Sequence, residues 1–269
     1  QSGFAPGTPV YAGSGDAGAS TLSSGVTKPG EYNVYLGTSG WIATLSRDVL
    51  ARPGVFNLAA IPPDLYINVV PFLNAGGVHK WISGVLGAEG AGLNFYDHTD
   101  SLLEKSEPGS GGLLFLPYLS GERFPVMDPK IRGAYVGLGN ETGPAQMARA
   151  CLEGVAFSIR QGLEAIDPGG AEKISLIGGG AKTPVWRQIL ADALQSPVTV
   201  LGDHSEYLPS IALAGAVFID QGLAGSYEEF AASLGASREN RRYVPGAPEI
   251  METQYRRYLK LYPALKGLF

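Results

Sequence analysis

Four glycine-rich turns hold the residues of this chain whose types and spacing could do chemistry. The first is Ala12-Gly13-Ser14-Gly15-Asp16-Ala17-Gly18-Ala19. It puts an aspartate at a strand-to-helix turn, where bare backbone lets a ligand come close. Asp16 could act there as a base, or it could cap the following helix, a role worth about 1 kcal/mol. The two roles are compatible. The second turn, Gly37-Thr38-Ser39-Gly40, could cradle phosphate oxygens with its N–H groups and two hydroxyls, or be an ordinary hairpin turn. The third is Ile177-Gly178-Gly179-Gly180-Ala181-Lys182-Thr183-Pro184. Successive glycines let a flat ring or a phosphate lie on the backbone, or let a helix pack closely on a strand. The pattern is neither a GxGxxG fingerprint nor a Walker A loop. The fourth, Leu119-Ser120-Gly121-Glu122-Arg123-Phe124-Pro125, offers Glu122 and Arg123 either to a polar ligand or to a structural ion pair.

Other chemistries are poorly supplied. His79, His98 and His204 show no metal-ligand spacing with Cys151, the single cysteine, and no metal ligands are expected. No GxSxG nucleophile elbow occurs. Cys151 lies in an apolar helical stretch and reads as a core residue. The net charge of −5, with no Lys/Arg cluster, argues against a nucleic-acid surface. One cysteine makes no internal disulfide and fits a reducing, cytoplasmic setting. No apolar run is long enough to span a bilayer, and the first residues lack a basic segment followed by an apolar one. Without an initiator Met, the chain reads as the later part of something longer.

The elements that must position these turns follow from periodicity. Val10–Ala12 is a short strand candidate, and residues 16–26 are small enough for a short helix. Tyr32–Leu36 and Trp41–Leu45 flank the second turn as a hairpin, and Tyr66–Leu73 adds a third strand after Pro62-Pro63. Together they make an antiparallel meander. Ala75–Gly87 reads as a helix with Val78, Trp81, Ile82 and Val85 on one face. Residues 88–112 read as a polar surface segment, and Leu113–Leu119 as a buried strand. Pro144–Ile166 is the clearest helix, opened by a proline suited to a first turn and striped by Leu152, Val155, Ala156, Ile159, Leu163 and Ile166. Pro168-Gly169-Gly170 closes it. Strand Lys173–Ile177, helix Val185–Gln195, strand Val198–Leu201, helix Leu208–Gln221 and helix Pro248–Tyr262, with an Arg256/Arg257/Lys260 edge, complete the chain. The order predicts an α/β fold, a mixed sheet with helices on its faces.

Taken together, the order and spacing of the four turns resemble the C-terminal domain of the FGGY carbohydrate kinases, above all the xylulokinases and gluconokinases. Gly133-Ala134-Tyr135-Val136-Gly137-Leu138, followed by Gln146-Met147-Ala148-Arg149-Ala150-Cys151-Leu152-Glu153, looks like a family signature. So do Phe115-Leu116-Pro117-Tyr118-Leu119-Ser120-Gly121-Glu122-Arg123 and Gly178 to Gln188. The resemblance covers nearly the whole chain. It implies a ribonuclease H-like, actin/hexokinase-type ATPase domain over residues 1–269, with ATP and sugar held against an N-terminal sugar-binding domain that this chain does not include.

The resemblance also implies roles. Asp16, after Gly15, matches the catalytic base; Gly37, Thr38 and Ser39 match a phosphate loop; Gly76 matches a nucleotide-contacting helix start, with Lys80 further along. Gly179, Gly180 and Ala181 match the adenine-site turn, and Pro184 falls where some relatives carry Asn. The implied activity is ATP- and Mg²⁺-dependent phosphorylation of a sugar, D-xylulose first and gluconate as the alternative. A non-catalytic actin-like nucleotide-binding or assembly module is the competing reading. A chain with half a phosphate site would hold ATP weakly or not at all and phosphorylate nothing alone, and its uncovered face would favour self-association as a homodimer.

Overall fold

The computed structural model describes residues 3–87, 96–167, 171, 173–200, 207–236 and 240–269. Its centre is a seven-stranded sheet. β1 (Glu31–Leu36) and β2 (Gly40–Ser46) pair antiparallel with Leu36 opposite Gly40, so three residues make the turn. β3 (Phe56–Ala59) and β4 (Tyr66–Phe72) continue the meander, β4 pairing with both β2 and β3. β5 (Leu114–Leu116) and β6 (Ala134–Val136) form a separate small hairpin. β7 (Lys173–Ile177) runs parallel to β1, and β8 (Val198–Val200) parallel to β7. β9 (Arg241–Tyr243) closes the far edge antiparallel. The order across the sheet is β3-β4-β2-β1-β7-β8-β9, a mixed, mostly antiparallel sheet as the sequence predicts.

The helices are α1 (Asp16–Ser23), α2 (Gly76–Leu86), α3 (Asp97–Glu104), α4 (Pro144–Ile166), α5 (Pro184–Leu194), α6 (Leu208–Ala212), α7 (Gly215–Asp220), α8 (Tyr227–Ala236), α9 (Pro248–Tyr258) and α10 (Leu261–Leu265). Alternate strand residues divide between the two faces. Val34, Leu36, Ile42, Val70 and Phe72 join the main core, whereas Ala43, Leu45, Ile67 and Val69 pack with Val26 on the opposite face. There α1, α6 and α8 meet through Leu22, Ala212 and Ala231.

The main core is organised by α4, whose predicted span and apolar stripe are both present, each stripe residue being buried. Burial of a Leu or Ile side chain is worth roughly 1.5–3 kcal/mol. Gly143 N–H donates to Gln146 Oε1 at 3.0 Å, tying the helix start. Two glycines set how closely α4 packs on the strands: a Cβ at Gly154 would strike the Phe115 carbonyl, and one at Gly162 would lie 2.6 Å from Phe72 Cζ.

Several expectations are corrected. Val10–Ala12 is not a strand; Val10 is 93% exposed and has no sheet neighbour to satisfy its backbone. Trp81 and Val85, placed on the buried face of α2, are 37% and 56% exposed, because the buried face is made by Val78, His79, Ile82 and Ser83; Trp81 lies flat on Phe115 at 5.6 Å. The supposed surface segment contains α3, with Thr99 and Leu103 fully buried; residues 88–95 lie outside the described ones. The predicted Leu208–Gln221 helix is two, α6 and α7, divided at Leu213-Ala214. Leu201 and the terminator Pro168-Gly169-Gly170 also lie outside the described residues.

Candidate functional site

Because β1 and β7 are parallel, with Tyr35 beside Ile177, both chains leave the sheet at the same end. The Gly37–Gly40 turn and the Gly178–Ala181 turn therefore stand side by side, at the strand ends where open α/β sheets bind ligands. Two of the glycines there have a steric reason. Gly178 has φ +96°, and a Cβ on it would lie 2.5 Å from the Leu36 carbonyl oxygen. A Cβ on Gly180 would lie 2.8 Å from Leu36 Cβ and 2.9 Å from Trp186 Cζ3. Gly179 has nothing within 4 Å of that position and opens to the site.

The start of α2 forms a third side. Gly76 N–H donates to the Gly37 carbonyl at 2.8 Å, and Gly77 and Ala75 N–H both donate to the Thr38 carbonyl, at 2.9 and 3.3 Å. A side chain at Gly76 would strike the Gly37 carbonyl. The Gly37 and Thr38 carbonyls are thus occupied, while the N–H groups of exposed Thr38 and Ser39 have no backbone acceptor among the described residues. A row of free amides facing solvent is an anion-binding arrangement.

These three sides enclose a cavity of about 570 Å³. Six of the predicted site residues line it: Gly37, Thr38, Gly76, Lys80, Gly179 and Gly180. Five do not. Ser39 is the exposed neighbour of Thr38. Ala181 is buried within the 3-10 turn Gly179–Lys182, its carbonyl accepting from Arg187 Nε. Pro184 is the exposed first residue of α5. Gly15 occupies the cap position of α1 with extended backbone, and Asp16 is the first helical residue. The exposed Asp16 carboxylate accepts from Ala17 N–H at 2.8 Å, so it satisfies one of the orphan amides of the helix start from inside the helix rather than from the cap position.

Sequence reasoning missed another part of the cavity wall. His79, Tyr96, Asp97, Asp100, Thr183 and Trp186 line it. His79 is 4% exposed, its ring 4.9 Å from Tyr96 and 5.6 Å from Trp186. Its Nε2 is 3.4 Å from Asp100 Oδ1, and Thr183 Oγ1 donates to Asp100 Oδ2 at 3.4 Å. Only a helix at Asp97–Glu104 brings these carboxylates to the cavity, and its polar sequence gives little signal for one.

Glu122, offered above to a ligand or an ion pair, does neither. It is 2% exposed. It accepts from the backbone N–H of Leu73 at 2.6 Å and of Arg123 at 2.8 Å, and from Asn74 Nδ2 at 2.9 Å. It therefore pins the turn between β4 and α2. Burial pushes its carboxyl above the usual range, against the pull of the Leu73 and Asn74 bonds. Glu153 is similarly buried. It pairs with Arg149 at 2.8 Å and accepts from Gly109 N–H and Ser110 Oγ, anchoring the loop before β5. Cys151 is a core residue as expected, wholly buried beside Tyr135, and burial pushes its thiol well up.

Compared with known families, residues 32–219 match the FGGY family of carbohydrate kinases, C-terminal domain. The chain belongs to this family. The gluconokinase of Bacillus subtilis (strain 168) is 30% identical to this FGGY domain, over all of it and 52% of that protein. The xylulose kinase of Escherichia coli (strain K12) is 32% identical over 68% of the chain and 38% of that protein. The crystal structure of xylulose kinase from Rhodospirillum rubrum superposes with a TM-score of 0.85 at 28% identity, covering 99% of this chain and 53% of that one. The chain thus spans about half the length of the curated relatives it matches. The fold is the ribonuclease H-like type of actin and the hexokinase-like ATPases. Among the described residues no helix of this FGGY domain is long and apolar enough to cross a membrane, and no group of three or more His, Cys, Asp or Glu could hold a metal ion.

Proposed function

We propose that this domain is the nucleotide-binding half of a cytoplasmic sugar kinase, working with a sugar-binding domain to transfer the γ-phosphoryl group of ATP to a sugar hydroxyl. One observation carries the proposal: the start of α2 takes the Gly37 and Thr38 carbonyls and leaves the Thr38 and Ser39 amides free, beside a glycine turn open enough for a base. Backbone amides fixed before the ligand arrives stabilise phosphate charge without reorganising. Lys80, exposed on α2 at the cavity, adds positive charge. Phosphoryl transfer asks the protein mainly for such positioning and electrostatics.

Asp16 is the base in this reading. An exposed carboxylate held by one N–H keeps free lone pairs with which to accept the sugar hydroxyl's proton as the O–P bond forms. A positioned base of this kind contributes roughly 10²–10⁴-fold. Mg²⁺ bound to the phosphates would neutralise part of their charge. It keeps most of its ligands as water and phosphate oxygen, so the chain needs no cluster of carboxylates for it. Closure of the two domains would exclude water from the transferred group. The relatives named xylulose kinase and gluconokinase make D-xylulose the first substrate to test and gluconate the second.

The test is Asp16→Ala in the protein carrying both domains. Phosphorylation of D-xylulose or gluconate should fall at least a hundredfold with ATP affinity retained. Turnover at the original rate would leave Asp16 only its bond to Ala17.

A further inference from the structure

The glycine turn that opens to the cavity is tied down by one arginine. Gly179, Gly180 and Lys182 line the cavity, carried there by the 3-10 turn Gly179–Lys182. Three successive glycines, Gly178 to Gly180, give this stretch more backbone freedom than other residues would. Its near end is fixed by β7 and by the close approach of Gly178 and Gly180 to Leu36. The far end is secured differently. Pro184 has no N–H, and the α5 ladder opens only where Arg187 N–H donates to the Thr183 carbonyl at 3.3 Å. Among the described residues no main-chain amide donates to the Ala181 carbonyl.

Arg187 supplies the donors. It stands in the first turn of α5, and helical side chains lean toward the N-terminus, which brings its guanidinium over the glycine turn. Nε donates to the Ala181 carbonyl, and Nη2 to the Lys182 carbonyl at 3.3 Å. These donors share one edge of a rigid planar group, so the two bonds orient two consecutive carbonyls together. Nη1 donates to Tyr243 Oη on β9 at 3.1 Å, and the next residue, Gln188, donates to the Val244 carbonyl at 2.8 Å. A second element therefore holds the guanidinium in place. None of its three acceptors is a carboxylate, so Arg187 here serves geometry rather than charge neutralisation. Among the described residues it does not line the cavity, and it can reach a ligand there only through the turn.

We propose that Arg187 is the positioning residue of the base side of the nucleotide site, setting the Ala181 and Lys182 carbonyls so that Gly179 and Gly180 present a fixed, open surface. A surface that must stay clear of side chains cannot be braced from within the cavity, and Arg187 braces it from outside. This rests on the cavity being the nucleotide site and adds the residue that preorganises part of it. Preorganisation raises affinity by removing an ordering cost from the binding step. The consequence is selective: without Arg187 the nucleotide binds more weakly, while the Gly37–Gly40 amides, held by α2, and Asp16, on α1, keep their places.

The experiment is steady-state kinetics of the protein carrying both domains, with ATP and the sugar varied separately and ADP as a competitive inhibitor. One charge-assisted hydrogen bond corresponds to about ten- to a hundredfold in affinity. Arg187→Ala should therefore raise KM for ATP and the inhibition constant of ADP by about tenfold or more. Loss of binding shared by ground and transition states leaves kcat alone, so kcat and KM for the sugar should stay within about twofold. Arg187→Lys keeps the stem and the charge but not the fork, and should raise KM for ATP by about fivefold. The melting temperature reports whether each variant keeps its fold, and the lysine variant decides the matter if the alanine variant does not. An unchanged KM for ATP in both variants, or a fall in kcat with KM for ATP unchanged, would overturn the proposal while leaving the nucleotide site standing. A wild type that neither uses ATP nor binds ADP would overturn both.

Discussion

Replacing Glu122 by alanine should destabilise the fold by about 3 kcal/mol and weaken nucleotide binding from a distance. The carboxylate accepts from Leu73 N–H at 2.6 Å, Arg123 N–H at 2.8 Å, Asn74 Nδ2 at 2.9 Å and Asn74 N–H at 3.3 Å. Hydrogen bonds to a charged group contribute about 1.5–3 kcal/mol each, and an orphaned buried N–H costs about 1–3 kcal/mol. Not all of that is lost. The Leu73 and Arg123 amides are in partly buried settings that water can reach, and the Asn74 amide keeps the Gly121 carbonyl at 2.7 Å. Asn74 N–H is buried and is left without an acceptor. Deleting the carboxylate also removes the cost of burying it, the effect that dominates its raised pKa. Two charged bonds and one orphan, less that relief, give the figure above. The assay is denaturant unfolding, read as a shifted midpoint at constant slope. Glu122→Gln, which keeps one acceptor oxygen but turns an NH₂ toward the Asn74 donors, should lose about 2 kcal/mol. Because the Leu73–Ala75 turn leads directly into the Gly76 contact with the phosphate turn, ATP affinity should fall with stability. A loss under 1 kcal/mol for the alanine variant would refute this reasoning.

Other consequences follow from single residues. Gly178→Ala combines a φ of +96° with a Cβ 2.5 Å from the Leu36 carbonyl oxygen. It should destabilise by more than 1 kcal/mol in the same unfolding assay and shift the amides of the adjoining Gly37–Gly40 turn. Glu252 is held below the usual carboxylate range by Arg160, and also by Arg256, at 2.6 and 2.8 Å. A depressed folded-state pKa means stability present above the ordinary value of 4.5 and lost as the pH falls through the depressed one. Glu252→Gln should therefore flatten the acid side of the stability profile. Glu122 and Glu153, both raised by burial, have the opposite sign: their contribution is full below the ordinary value and is lost as the pH rises through the raised one.

Much of the site was legible because glycine marks backbone that must touch something. Gly37, Gly76 and Gly180 stand out in the sequence for the same reason that they meet in space, since no side chain fits where each turn meets its neighbours, and Gly179 leaves its place open to the cavity. The hairpin and α4 were legible from period. The wall with His79 and Asp100 was not. α3 buries Thr99 and Leu103 completely, too narrow a stripe in eight residues to separate a helix from a polar loop. Without α3 nothing in the sequence brings His79 and Asp100 together. β3 failed for a related reason: it is an edge strand with Phe56 and Leu58 exposed, so its alternation carries no buried face. Val10–Ala12 shows the reverse error, three apolar residues that no neighbouring strand receives.

The central claim is that the free amides of the Gly37–Gly40 turn receive the phosphates of a nucleotide whose base lies on Gly179 and Gly180. An amide-resolved NMR titration of the chain with Mg-ADP tests it most directly, since it reports weak binding residue by residue. The account predicts the largest, saturable shifts at Thr38, Ser39, Gly179 and Gly180. Saturable shifts elsewhere, with those four amides unmoved, would contradict it.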